Sequence, residues 1–213
     1  MMTKRWIALG LLLVLLFSLA LTATSCAKED EAAVLEEAKR LLSASFTVND
    51  MYLGEGIAYN EAGKKVGAYY EADAASLEAY GVATLSDIQA AARAVYSLAV
   101  CAQLQSTVLT AIQVDGMLVS PKRYYDLADK DKTLLMVATG YEPLGVGTTT
   151  FEDCRLLWVR GDEAEISVTL LSHYGEHPIQ KKENVTLLLV KEENGWRLDD
   201  LSVLFYDTTL IEE

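Results

Sequence analysis

Residues 153–172 of the chain read DCRLLWVRGDEAEISVTLLS, and residues 184–199 read NVTLLLVKEENGWRLD. In the first stretch Ile166, Val168 and Leu170 alternate with Glu165, Ser167 and Thr169, the pattern of a strand with one dry and one wet face. Gly161-Asp162 and Asn194-Gly195 fall between apolar runs, where two-residue reversals belong. Strands are therefore expected over Asp153–Arg160, Glu163–Ser172, Asn184–Lys191 and Trp196–Asp199. Leu201–Tyr206 (LSVLFY) either continues the last of these or bends after it.

Upstream the period changes to that of a helix. Glu29–Ser45 places Val34, Leu35, Ala38, Leu41, Leu42 and Ser45 on one face. Glu29, Asp30 and Glu31 open this segment and Lys39 and Arg40 lie towards its end, as the helix dipole favours. A second helical region starts near Ser86, whose spacing to Gln89 fits a capping box. Ile88, Ala91, Ala92, Val95, Leu98, Ala99 and Ala102 keep helical spacing, while Val100, Leu104, Val108 and Ile112 form a rotated stripe. Two helices meeting near Ser97 fit as well as one long helix. Between these regions, Gly54, Gly56 and Gly63 interrupt Phe46–Lys65, and Val66–Ala72 reads as a short strand. Asp115-Gly116, set between Val114 and Met117, is a hairpin signal, and the stretch from Tyr124 to Val137 reads as a shorter helical or turn segment. Helices followed by antiparallel strands give an α+β fold, with N-terminal helices packed on a curved antiparallel sheet. No repeat, Pro/Ser linker or charge block divides residues 27–213, so they form one domain.

The chain has 213 residues, 18 Lys+Arg and 31 Asp+Glu, for a formal charge of −13. That balance argues against nucleic acid, which needs clustered cations, and against adsorption to anionic lipid by charge. With 51% apolar residues, 13 Gly and 3 Pro, collagen-like and disordered classes fail as well. The first 26 residues read as an export signal: Lys4 and Arg5, the apolar run Trp6–Leu21, then small Thr22, Ala23, Thr24 and Ser25 leading to Cys26. A Cys after small residues resembles a bacterial lipobox, with Ala23 in the slot where Leu is usual. The resemblance implies that Cys26 is acylated and becomes the mature N-terminus. A retained anchor is the alternative, because Trp6–Ala27 carries no charge and is long enough to span a bilayer, and plain secretion is another. All three place the folded part outside the cytoplasm. There Cys101 and Cys154 could bridge, which the chain-entropy model values at about 4 kcal/mol, or remain two small apolar side chains.

The closing signature Glu192-Glu193-Asn194-Gly195-Trp196-Arg197-Leu198-Asp199 resembles the "GW(K/R)(I/L)" strand–turn–strand of the cystatin-like, nuclear-transport-factor-2-like superfamily. Gly195 supplies the turn, Trp196 caps the edge of the core and Leu198 returns to the buried face. The likeness spans Glu29–Tyr206 and implies a cone-shaped fold with a pocket between sheet and helices. Tyr124, Tyr125, Tyr141 and Trp158 are the aromatic candidates for that pocket. Some members of the superfamily isomerise small ketones with an Asp base and a Tyr hydroxyl, and Asp153 or Asp126 would have to be that base. The alternative is ordinary core aromatics with hydroxyls at the rim. A fainter similarity is to envelope inhibitors of peptidoglycan DL-endopeptidases, and it carries over no residue.

Other constellations are thin. His173 and His177 flank Glu176 in a stretch with Gly175 and Pro178, a strand-to-strand loop and not the helix of a zinc motif. Asp126, Asp129 and Asp131 lack the Gly and Glu that a Ca²⁺ loop requires and read as a solvated turn. A Gly-x-Ser-x-Gly elbow is missing, and Gly140–Gly147 has no Lys-Ser/Thr. The sequon Asn184-Val185-Thr186 falls inside a strand. The reading that results is a non-enzymatic, lipid-anchored extracytoplasmic binding module with no metal or cofactor. Its partners are the membrane, through the N-terminal lipid, and an envelope protein or a small ligand. Two other readings stay open: a small-ligand carrier or enzyme using the cone pocket, and an inhibitor of a cell-wall hydrolase.

Overall fold

In the computed structural model of the protein, residues 31–110, 112–114, 117–120, 122–141, 148–173 and 179–201 are described. The export segment with Cys26, the Asp115-Gly116 turn, residues 142–147, Glu176 and His177, and 202–206 of the LSVLFY stretch lie outside them.

Helix α1 covers 31–53 and runs through the middle of the core. Val34, Ala38, Leu41, Leu42, Val48, Met51, Tyr52 and Leu53 are all buried, a stripe that continues at helical spacing beyond the expected end at Ser45. Ser45 does not stop the helix because its hydroxyl donates back to the Leu42 carbonyl at 2.7 Å and is satisfied in place. The stop comes at Gly54, whose N–H closes on the carbonyls of Asn49 and Asp50.

Three further helices follow: α2 (Ala74–Tyr80), α3 (Leu85–Val95) and α4 (Leu98–Val108). The sequence reading passed over α2, although Asp73 accepts from the Ser76 N–H at its start and Gly81, at φ 66°, closes its end. Of the two options for the next region, the structure shows two helices. Their joint is Tyr96-Ser97, where the backbone is extended and Ser97 caps α4 by accepting from the Val100 N–H at 3.2 Å. The capping box of α3 sits two positions before the expected one. Thr84 and Asp87 exchange its bonds, because Asp87 is the residue that stands three positions after the true cap.

Among the described residues the strands form two four-stranded antiparallel sheets and one hairpin, and the sheet structure is strongly curled into a half-barrel. The first sheet joins β1 (Lys65–Val66), β2 (Tyr69–Glu71), β5 (Tyr124–Asp129) and β6 (Lys132–Ala138) in the order β1-β2-β6-β5. The small hairpin is β3 (Ile112–Val114) with β4 (Met117–Ser120), paired as the Asp115-Gly116 signal requires. The second sheet is the meander β7 (Thr148–Arg160), β8 (Glu163–His173), β9 (Gln180–Glu192) and β10 (Gly195–Leu198), in sequential order.

Two readings are corrected. Residues 66–72 are not one strand but the arms of a tight hairpin, reversed at Gly67 with φ 60°. Residues 124–138 are not helical but the hairpin β5–β6. Here Leu134–Ala138 are buried one after another because both faces of β6 are covered, so no alternation marks it.

The wet face expected of β8 is also only partly wet. Ser167 and Thr169 are buried, and the Arg155 guanidinium on β7 reaches Asn184 on β9 at 2.7 Å, spanning the strand between them. One apolar cluster joins α1, α3, α4, the inner side chains Ile166, Val168, Leu187 and Leu189 of the second sheet, and Tyr124, Leu135 and Val137 of the first. Among the described residues, no helix is long and apolar enough to cross a membrane.

Candidate functional site

An α-helix ends with carbonyls that have no partner within the helix. At the end of α1 these are met by side chains from the first sheet. The Tyr124 hydroxyl donates to the Met51 carbonyl at 2.8 Å and accepts from the Ile57 N–H at 3.2 Å. The Tyr141 hydroxyl donates to the Tyr52 carbonyl at 3.0 Å. Just beyond the helix, Arg123 Nη2 donates to the carbonyls of Gly54 and Glu55 at 2.6 and 2.5 Å. Tyr80, from α2, donates to the Asp50 carboxylate on the last turn.

Arg123 is the centre of this arrangement. It stands immediately before β5, held by its own backbone between the Val108 carbonyl of α4 and the Ala138 N–H of β6. The residue is 3% exposed, and its guanidinium lies over the ring of Tyr141 at 4.2 Å and that of Tyr124 at 5.3 Å. Among the described residues it forms no ion pair, and Nη1 is buried without a hydrogen-bond partner. The negative end of the α1 dipole supplies about half an opposite charge, so the cation is only partly compensated. Its neighbours fit around it closely. Gly56 has φ 63°, and a Cβ there would collide with Nη2 and with the Tyr124 hydroxyl.

A cavity of about 460 Å³ opens beside this cation. The loop from Glu55 to Glu61 lines one side, and Val137–Thr139, Arg123 and Tyr141 line the other. Glu55 and Glu61 are exposed at its rim. Burial raises the Tyr124 and Tyr141 hydroxyls above the ordinary phenol value of 10.0, with Arg123 pulling the other way. The inner wall thus offers a fixed cation, neutral phenols and apolar carbon.

The structure distributes the expected pocket residues over separate places. Tyr124 and Tyr141 meet at Arg123, as described. Tyr125 lies on another surface, edge-on to Tyr69 at 4.7 Å, beside a shallow apolar cleft of about 600 Å³. Asp153 occupies a bulge on β7 with φ 50°, in a polar hollow with Cys154, Arg155, Thr169, Glu183 and Asn184 that shares no residue with the Arg123 cavity. The Trp158 indole N–H donates to Glu165 across the strand pair. Asp126 accepts from the Leu85 N–H at 2.9 Å and so serves the start of α3, and Asp129 pairs with Lys64.

The bridge considered for Cys101 and Cys154 is not formed, and both are free thiols. Cys101 is buried on α4 with Arg93, Glu192 and Arg197 as its charged neighbours, whereas Cys154 is half-buried on β7 near Lys39 and Glu36. Burial raises both thiols above their ordinary value. Among the described residues no three His, Cys, Asp or Glu side chains gather as a metal site would need.

The sequence reading missed Arg123, Asp50 and Tyr80. One signal was available for Arg123: a basic residue directly ahead of two tyrosines and close to apolar β6. No protein-family model matches the chain, and none of the curated proteins compared with it is similar to it.

Proposed function

We propose that the protein is a lipid-anchored extracytoplasmic binding module that holds a small ligand, unchanged, at the end of α1. The observation that supports this reading is the Arg123 cavity itself. Its inner groups are a guanidinium that cannot deprotonate, phenols raised by burial, and apolar side chains, all suited to holding and poorly suited to moving protons. For the fold we propose the cystatin-like arrangement for α1 with β7–β10, supported by the buried face of α1 and the Gly195 turn, whose φ is 107°. The sheet that carries Arg123 and Tyr124 then stands as an addition to that arrangement.

Two measurements test the proposal. Full-length protein extracted from membranes should release one small molecule on denaturation, identical by mass spectrometry before and after prolonged incubation. A product that accumulates with time would make the protein an enzyme. The wild-type protein should also partition into detergent phase after processing at Cys26, while a Cys26→Ala variant stays unprocessed. Identical membrane retention with an uncleaved N-terminus in both would make Trp6–Leu21 a span.

A further inference from the structure

Three properties of the cavity narrow the ligand, given the binding reading above. The first is the unpaired donor. Arg123 Nη1 is buried with no hydrogen-bond partner, and such a donor on a charged group loses its hydration without replacement. A guanidinium is matched best by a carboxylate or phosphate oxygen.

The second is charge. Nη2 is already committed to two carbonyls, so the two N–H groups of Nη1 are the ones left to a ligand, and the exposed Glu55 and Glu61 stand at the rim. Those carboxylates oppose a dianion, and the negative end of the α1 dipole leaves Arg123 only about half a positive charge with which to hold an anion. A monoanion fits that balance.

The third is the wall. Ile57, Val137 and Ala138 are apolar, and Tyr141 stacks on the guanidinium at 4.2 Å as a half-buried ring. A volume of about 460 Å³ holds a body of roughly one aromatic ring with substituents. Nη1 is out of contact with solvent, so a ligand oxygen reaches it only when the half-buried Tyr141 ring gives up its bond to the Tyr52 carbonyl and leaves the guanidinium.

We propose that the cavity beside Arg123 takes a small monocarboxylate with a flat apolar body, its carboxylate on Nη1 and its body against Ile57, Val137 and Ala138. Benzoate is the probe, benzamide its neutral isostere and inorganic phosphate the competing anion. With full-length protein in detergent, calorimetry should show saturable benzoate binding, with benzamide and phosphate each about tenfold weaker or more.

Arg123→Lys keeps the charge but loses the fork, and it should weaken benzoate by a similar factor. Because that variant also loosens the end of α1, Ala58→Phe is the second variant. Ala58 is exposed, lines the cavity and has hydrogen-bond partners other than those of Arg123, so a phenyl group there should abolish binding while circular dichroism stays unchanged. Equal affinity for benzamide, preference for phosphate, or benzoate binding that persists in a folded Ala58→Phe would each overturn the assignment. So would a neutral ligand recovered from the native protein together with no benzoate binding, a result that leaves the binding reading itself intact.

Discussion

Three tyrosine hydroxyls, two on buried residues and one on half-buried Tyr141, lie near the end of α1, and they differ in what they touch. Tyr124 makes two hydrogen bonds to backbone, Tyr141 makes one, and the Tyr52 hydroxyl, on a residue with no exposed surface, makes none. A buried hydroxyl without a partner costs about 1–3 kcal/mol, and deleting it with its burial cost is neutral or stabilising. Tyr52→Phe should therefore raise stability by about 1 kcal/mol, while Tyr124→Phe should lower it by about 1–2 kcal/mol, because two backbone groups lose their partner. Urea midpoints of the two variants at neutral pH check the pair. A destabilised Tyr52→Phe would mean that the hydroxyl is satisfied by a bound water.

β10 is only four residues long, yet it closes the molecule. Its Leu198 carbonyl accepts from the Ser97 N–H at 2.9 Å, its backbone bridges Tyr96 in parallel, and its Arg197 Nε reaches the Arg93 carbonyl at 2.8 Å. Leu198 is fully buried and Trp196 only partly so. Leu198→Ala should cost about 2–5 kcal/mol and Trp196→Ala clearly less, by chemical denaturation. The reverse order would place the weight of the hairpin on its ring instead of its leucine.

This meander was legible in the sequence because each strand either alternates or ends on a glycine turn, and Asp115-Gly116 was legible for the same reason. β6 was not, because Leu134–Ala138 are covered on both sides and carry no period, and their turn at Lys130-Asp131 contains no glycine even though Lys130 has φ 55°. The extension of α1 past Ser45 was hidden because Ser45 and Asn49 are polar letters that become buried through local bonding and the Tyr96 hydroxyl. At the site, two tyrosines were visible as aromatic candidates. Arg123 was not, since its place ahead of two tyrosines marks an aromatic neighbourhood but does not say that three elements converge on it.

At the scale of the whole molecule, the buried tyrosines set a limit on alkaline stability. Burial raises the phenols of Tyr52, Tyr96 and Tyr124 above the ordinary 10.0, strongly so for Tyr52 and Tyr96. Their folded state keeps the proton more tightly than the unfolded chain does. Their contribution is therefore complete below pH 10 and is lost as pH rises above it, at up to about 1.4 kcal/mol per pH unit for each fully protected phenol. Unfolding free energies measured at pH 8, 9, 10 and 11 should fall gently between the first two, as the two buried thiols begin to ionise in the unfolded chain, and steeply beyond pH 10 as the phenols follow. A flat profile through pH 11 would mean that these rings ionise as freely in the fold as out of it.

α1 also serves as a ruler. Its first described residue, Glu31, follows Cys26 by the short stretch Ala27–Asp30, so the two are at most about 18 Å apart when the chain is fully extended. From there to the Arg123 cavity the helix runs 31–53, about 34 Å at 1.5 Å per residue. On the acylation proposed for Cys26, the near end of the domain would stay within one short tether of the bilayer and the cavity would lie up to a helix length from that end. With α1 upright on that anchor, the cavity would sample solutes of the bulk phase beyond the headgroups, and no longer tether would be needed to lift it clear of them.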